Sequence, residues 1–123
     1  MGLTQDIGNR GEAFAAEYVK NQGYIISATN YRTKYGEIDI IAENNSEILF
    51  IEVKTRAETS YAMPHEYVNY HKRRRLFITA EVYLKSNGYG LQPRFDIAEV
   101  FVSSSGKMRL NYIKNGFDAD LFV

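Results

Sequence analysis

The sequence predicts an α/β domain in which a mixed β-sheet is clasped by helices. Three observations carry that reading. An N-terminal stretch places apolar residues at helical spacing and ends on Gly23; the neighbouring segments GEIDIIA and ILFIEVKTR alternate with a strand's period of two; and a second helical stretch separates them from a late pair of strands. The 123 residues, 45% apolar and 24% charged, are enough for one compact domain, residues 1–123, around a single core.

The elements follow in order. Gly8 to Gln22 reads as a helix with Phe14, Ala15, Tyr18 and Val19 inward, stopped by Gly23. Tyr24 to Arg32 is the first strand. Gly36 to Glu43 alternates Glu37, Asp39 and Ile41 on one face with Ile38, Ile40 and Ala42 on the other, and Asn44-Asn45-Ser46 supplies turn chemistry. Glu47 to Thr55 puts Ile48, Phe50, Glu52 and Lys54 on one face and Leu49, Ile51 and Val53 on the other. A two-residue loop at Asn45-Ser46 sets Asp39 against Glu52 and Glu37 against Lys54; a four-residue loop keeps that register and a three-residue loop shifts it by one.

Residues 57–68 lack periodicity and contain Pro64, as expected of a long connection near the site, a candidate lid or substrate loop. Asn69 fits an N-cap for a helix carrying Leu76, Phe77, Ala80, Tyr83 and Leu84 on one face and stopping at Asn87-Gly88. Arg94 to Val102 and Lys107 to Ile113 form a hairpin across Ser103-Ser104-Ser105-Gly106. Phe117, Leu121 and Phe122 favour packing for the tail, Asn115 to Val123.

Like charges facing each other on a sheet repel, so Asp39 opposite Glu52 calls for neutralisation. Two accounts compete: a solvated sheet edge with Lys54 as counter-ion, or a divalent cation between the carboxylates, where oxygen ligands suit magnesium or manganese. The apolar residues flanking both acids favour strands buried on at least one face.

The pair GEIDIIA and LFIEVKTR, Asp39 followed by Glu52-x-Lys54, resembles the PD-(D/E)XK nuclease superfamily and, more narrowly, the YraN-like family of endonuclease-type proteins. IGNRGEAFAAEYVKNQGYIISATNYR resembles that family's opening helix and first strand, Val68 to Leu76 its second helix, and RFDIAEVFV its late strand, so the likeness spans nearly the whole chain. The resemblance implies a restriction-endonuclease-like fold with an αβββαβ core. It implies Asp39, Glu52 and the backbone carbonyl of Val53 as ligands of Mg2+ or Mn2+, Lys54 as the group touching the attacking water or the phosphate, Glu12 as an added acid and Lys72 as a family lysine. The proline of the superfamily's name is replaced by Ile38. Taken alone, Glu12 reads as an exposed carboxylate favoured by a helix N-terminus.

The second helix opens on His71-Lys72-Arg73-Arg74-Arg75, a basic run that opposes the helix dipole and therefore suggests phosphate contact; a solvated face is the ordinary alternative. Arg32, Lys34 and Arg56 flank the acids and invite the same reading, Arg56 following Lys54 on its own face. With 15 basic and 15 acidic residues the net charge is zero, so any nucleic-acid surface is local. No cysteine is present, which excludes disulfides, thiolate zinc sites and a thiol nucleophile. Only His65 and His71 could offer imidazole to a metal, and ten tyrosines fall mostly at core-like positions. Without a signal peptide or membrane span, a cytoplasmic location is expected.

These observations lead to a metal-dependent DNA endonuclease, with branched or repair intermediates among its candidate substrates. A noncatalytic nucleic-acid-binding or scaffold protein that keeps the fold is the main alternative, and an ion cluster serving stability alone is the third. One site on so small a chain would need a second copy to cut both strands symmetrically, which motivates a homodimer.

Overall fold

The computed structural model describes residues 2–58, 70–87 and 90–116, with side chains from Asp6 onward. Helix α1 (Gly2–Asn21) leads into an antiparallel meander of β1 (Ile25–Thr33), β2 (Gly36–Glu43) and β3 (Glu47–Ala57); helix α2 (Tyr70–Asn87) then crosses to β4 (Gln92–Val102), which lies parallel to β3, and β5 (Met108–Ile113) closes the sheet in the order β1-β2-β3-β4-β5. This mixed five-stranded sheet between two helices has the restriction-endonuclease-like architecture. The connection at residues 59–69, including Asn69 and most of the proposed lid, and the tail from Phe117 lie outside the described residues.

Two apolar layers hold the sheet. On the α2 side, Leu76, Phe77, Ala80 and Tyr83 pack on Ile38, Ile41, Ile48, Phe50, Phe95 and Ile97; on the α1 side, Ala15 and Val19 pack on Ile40, Ala42, Leu49, Ile51, Ala98 and Val100. Helix α1 begins six residues before the expected Gly8. Phe14 is 39% exposed, contrary to its expected inward place, because the narrow stripe that meets the sheet is filled by Ala15 and Val19.

The β2–β3 register is the expected one, with Ile40 facing Ile51 and Glu43 facing Ile48, and Asn44 closes the turn by accepting hydrogen bonds at Oδ1 from the Ser46 and Glu47 amides at 2.9 and 2.8 Å. The simple alternation in β2 fails at one step. Ile38 and Ile41 belong to the α2 layer while Ile40 and Ala42 belong to the α1 layer, so Ile38 does not share a face with Ile40 as the period of two requires. Strand β1 reverses beside it: Ala28 and Tyr31, paired with Ile41 and Ile38, both pack in the α2 layer, and between them Asn30 takes the left-handed conformation with φ 51°. Asn30 and Asp39 are skipped together by the ladder and both strands change face there, while Ser27 is the unpaired residue of a register shift earlier in β1.

Candidate functional site

The β2–β3 ladder ends at Ile40 and Ile51, one residue short of Asp39 and Glu52. From there β3 continues against β4 as far as Ala57 while β2 continues against β1, so the strands part and open a cleft between them. The first main-chain donor freed by the parting, the amide of Val53, donates to Asp39 Oδ2 at 2.7 Å. A residue's N–H and C=O leave an extended strand on the same edge, so the Val53 carbonyl also faces the gap.

Glu52, only 7% exposed, accepts from two ammonium groups on the same oxygen: Lys72 Nζ from α2 at 2.6 Å and Lys54 Nζ from its own strand at 3.4 Å. The α2 side of the sheet carries Ile48, Phe50, Glu52 and Lys54, as strand period requires, and the first turn of α2 rises over it to deliver Lys72. Glu37 does not face Lys54 in a ladder; it binds Arg32 Nε at 2.9 Å across the β1–β2 pair, because β2 has already left β3.

The electrostatics follow from the burial. The Asp39 carboxyl is pushed up to about 8, first by burial and then by the charge of Glu52, against the opposing Val53 hydrogen bond. Burial, followed by the neighbouring Lys72, lowers Lys54 below the usual lysine range. Burial acts on Lys72 in the same sense, but Glu52 outweighs it and holds that ammonium above its ordinary value. Glu12 stands across the gap on α1, raised by partial burial and by the fields of Glu37 and Glu52, and held by a side-chain hydrogen bond from Asn30 that lowers it.

What brings Glu12 there is a close approach of main chains. A Cβ on Gly11 would overlap Thr55 Oγ1, so only glycine lets α1 settle on β3 beside Lys54. Glu12 and Lys54 border a smaller hollow on that side, with Gly8, Val53 and Thr55. The larger cleft, about 630 Å3, is bounded by Asp39, Glu52, Lys72, Arg75 and the β1–β2 turn at Lys34-Tyr35.

Asp39, Glu52, Lys54 and Lys72 thus come together, with the Val53 main chain between them. Of the basic run, Lys72 and Arg75, three residues apart, reach the cleft, whereas Arg73 and Arg74, rotated about 100° and 200° from Lys72, do not line it. Arg56 is half-buried beyond Lys54. His71 is exposed beside Tyr70 and His65 lies outside the described residues. Two participants escaped the sequence: Asn30, whose only signal was a residue type tolerant of positive φ, and Gly11, whose signal was a glycine inside a helix.

Among the described residues no three His, Cys, Asp or Glu side chains converge as a ligand set. Two carboxylates and a main-chain carbonyl nonetheless fit Mg2+, which is commonly held by one or two carboxylates and keeps several waters. The strong rise of Asp39 beside Glu52 marks a place where a cation would be favoured.

Comparison with known proteins matches residues 11–100 to the family described as "Uncharacterised protein family UPF0102". The chain belongs to the UPF0102 family. This is the YraN family that the motifs resemble. The chain is 43% identical over 116 residues to a UPF0102 protein of Clostridium botulinum (strain 657 / Type Ba4), covering 92% of this chain and 94% of that one. It is also 43% identical over 116 residues to a UPF0102 protein of Alkaliphilus metalliredigens (strain QYMF), with 94% and 100% covered, and 40% identical over 114 residues to one of Caldanaerobacter subterraneus subsp. tengcongensis, with 90% and 93% covered. The UPF0102 match takes in Glu12, Asp39, Glu52, Lys54 and Lys72 together. No helix among the described residues is long and apolar enough to cross a membrane.

A second polar cluster lies on the α1 side, at the other end of β3. Asp96, fully buried, binds Arg94 at 2.9 Å, Tyr112 Oη at 2.6 Å and the Asn115 amide at 3.0 Å, and Arg94 reaches on to Glu47. Its groups satisfy one another, which makes it a tie between β3, β4 and β5.

Proposed function

We propose that this UPF0102 chain is a Mg2+- or Mn2+-dependent nuclease that hydrolyses phosphodiester bonds in DNA. The observation that carries the reading is the parting of β2 and β3 at Ile40 and Ile51, which leaves two acids, a main-chain carbonyl and two lysines around one gap. Asp39, Glu52 and the Val53 carbonyl are the groups that would hold the cation. When bound, such an ion lowers the pKa of a water and shields charge on the phosphate oxygens.

The protein's own groups have distinct tasks. Lys54, lowered by burial, is the group that would hydrogen-bond the attacking water or a nonbridging oxygen, where a partly desolvated ammonium acts more strongly than in bulk water. Lys72 holds the Glu52 carboxylate in orientation, Arg75 adds positive charge at the rim, and Glu12, fixed by Asn30, offers a further carboxylate across the gap. Water adds to phosphorus and gives up one proton, the bond from phosphorus to one ester oxygen breaks, and the departing oxygen takes up a proton in turn, leaving a phosphomonoester and a hydroxyl end.

One observation favours the noncatalytic alternative: both lysines bind Glu52, an arrangement that also neutralises the acid without metal. Cleavage of labelled linear, single-stranded, flapped and four-way DNA with magnesium, manganese or EDTA decides between the readings. The nuclease reading expects metal-dependent cutting that Asp39→Asn and Lys54→Ala both abolish; binding without cutting by the wild type on every substrate supports the idle fold.

A further inference from the structure

The turn between β1 and β2 puts an aromatic ring on the rim of the acidic cleft. Thr33 pairs with Gly36, leaving Lys34 and Tyr35 as a two-residue tip, and both line the cleft that contains Asp39, Glu52 and Lys72. Tyr35 is 43% exposed, unlike Tyr31 and Tyr83, which meet edge to face within the α2 layer.

The tip is firmly mounted. The Tyr35 amide donates to Thr33 Oγ1 at 3.1 Å, that hydroxyl lies 3.4 Å from Thr79 Oγ1, and Thr79 donates to the Arg75 carbonyl at 2.8 Å. Gly36 lies so close to α2 that a Cβ there would stand 3.2 Å from Thr79 Oγ1 and 3.4 Å from Arg75 Cβ. The main chain that carries the ring is therefore fixed relative to α2 before any ligand arrives. Lys34 Nζ lies 5.2 Å from the ring centroid, so one cation stands beside the aromatic, and Lys72 and Arg75 line the same cleft.

An exposed ring on a fixed turn, with Lys34 beside it and a cleft lined by Lys72 and Arg75 below it, matches one ligand chemistry: a base with a free face, carried on a phosphate backbone. A paired base in a duplex has both faces stacked. We infer that Tyr35 is a stacking platform for an unpaired nucleobase and that the cleft takes single-stranded DNA or the unpaired strand of a flap. This rests on the nucleic-acid reading of the site and narrows its substrate class.

The test is equilibrium binding, with calcium replacing magnesium to suppress turnover, of 2-aminopurine-labelled single-stranded, flapped and blunt duplex DNA to the wild type, Tyr35→Ala and Tyr35→Phe. Stacking expects quenching of the probe by the wild type, roughly 5- to 100-fold weaker single-strand binding for Tyr35→Ala, little change on duplex, and retention by Tyr35→Phe. Thermal melts of the variants that match the wild type exclude a folding defect as the cause. Equal loss on single strand and duplex, or no loss on single strand, overturns the platform while leaving the nuclease reading in place. Failure of the wild type to bind any of the DNAs overturns both.

Discussion

Replacing Asp39 by asparagine makes the strongest test of the electrostatics at the fork. Folding raises this carboxyl from 3.8 to about 8 in the absence of a cation. The sign follows from proton uptake: between those values the folded state binds more protons than the unfolded state, so this group's contribution to stability falls as pH rises. At about 1.4 kcal/mol per unit, the three units from pH 5 to pH 8 correspond to about 4 kcal/mol, and coupling with Glu52 and Glu12 reduces the expected figure to about 2–3 kcal/mol. The substituted amide would still offer an oxygen to the Val53 N–H while carrying no charge.

Urea denaturation in EDTA at pH 5, 6, 7 and 8 measures the effect. The stability of Asp39→Asn relative to the wild type should increase steadily with pH, and magnesium at pH 8 should close part of the gap by stabilising the wild type alone. A difference independent of pH would refute the argument, because it would mean that the carboxyl is not held protonated by burial and by Glu52.

Two further outcomes test the scaffold. Gly11→Ala should destabilise the fold by about 1–3 kcal/mol through overpacking on Thr55, and Thr55→Gly should recover part of that loss; additive losses in a denaturation double-mutant cycle would show that the two residues do not meet. Asp96→Ala should cost about 3–5 kcal/mol in chemical denaturation by leaving Arg94 without its buried partner, while the DNA binding proposed for the β2–β3 cleft, measured below the melting temperature, stays unchanged; a selective loss of that binding would tie this cluster to the site.

The parts visible in the sequence are those set by local chemistry. Alternation in ILFIEVKTR and the Asn44 turn specify the hairpin and its register, and they bring Asp39 and Glu52 together without knowledge of the rest of the chain. The α2 stripe was likewise legible in Leu76, Phe77, Ala80 and Tyr83. The face reversal at Asn30 and Asp39 was not, because it answers the demands of two apolar layers supplied by distant helices. Phe14 misled for a related reason: helical spacing shows which residues share a side, and the width of the buried stripe depends on how near the partner lies. The Glu47–Arg94 pair joins residues far apart in sequence and leaves no local pattern.

The reversal at Asn30 and Asp39 also divides the hairpin into a part that resists change in length and a part that can accept it. Deleting one residue between Asp39 and Ala42 would send isoleucines meant for one layer into the other, so the acid is anchored by both cores at once. Lys34 and Tyr35 lie outside both layers. A cleft rim of different length or chemistry could be grafted at that tip, between Thr33 and Gly36, while the carboxylates keep their positions, which makes the turn the natural place to retarget the protein.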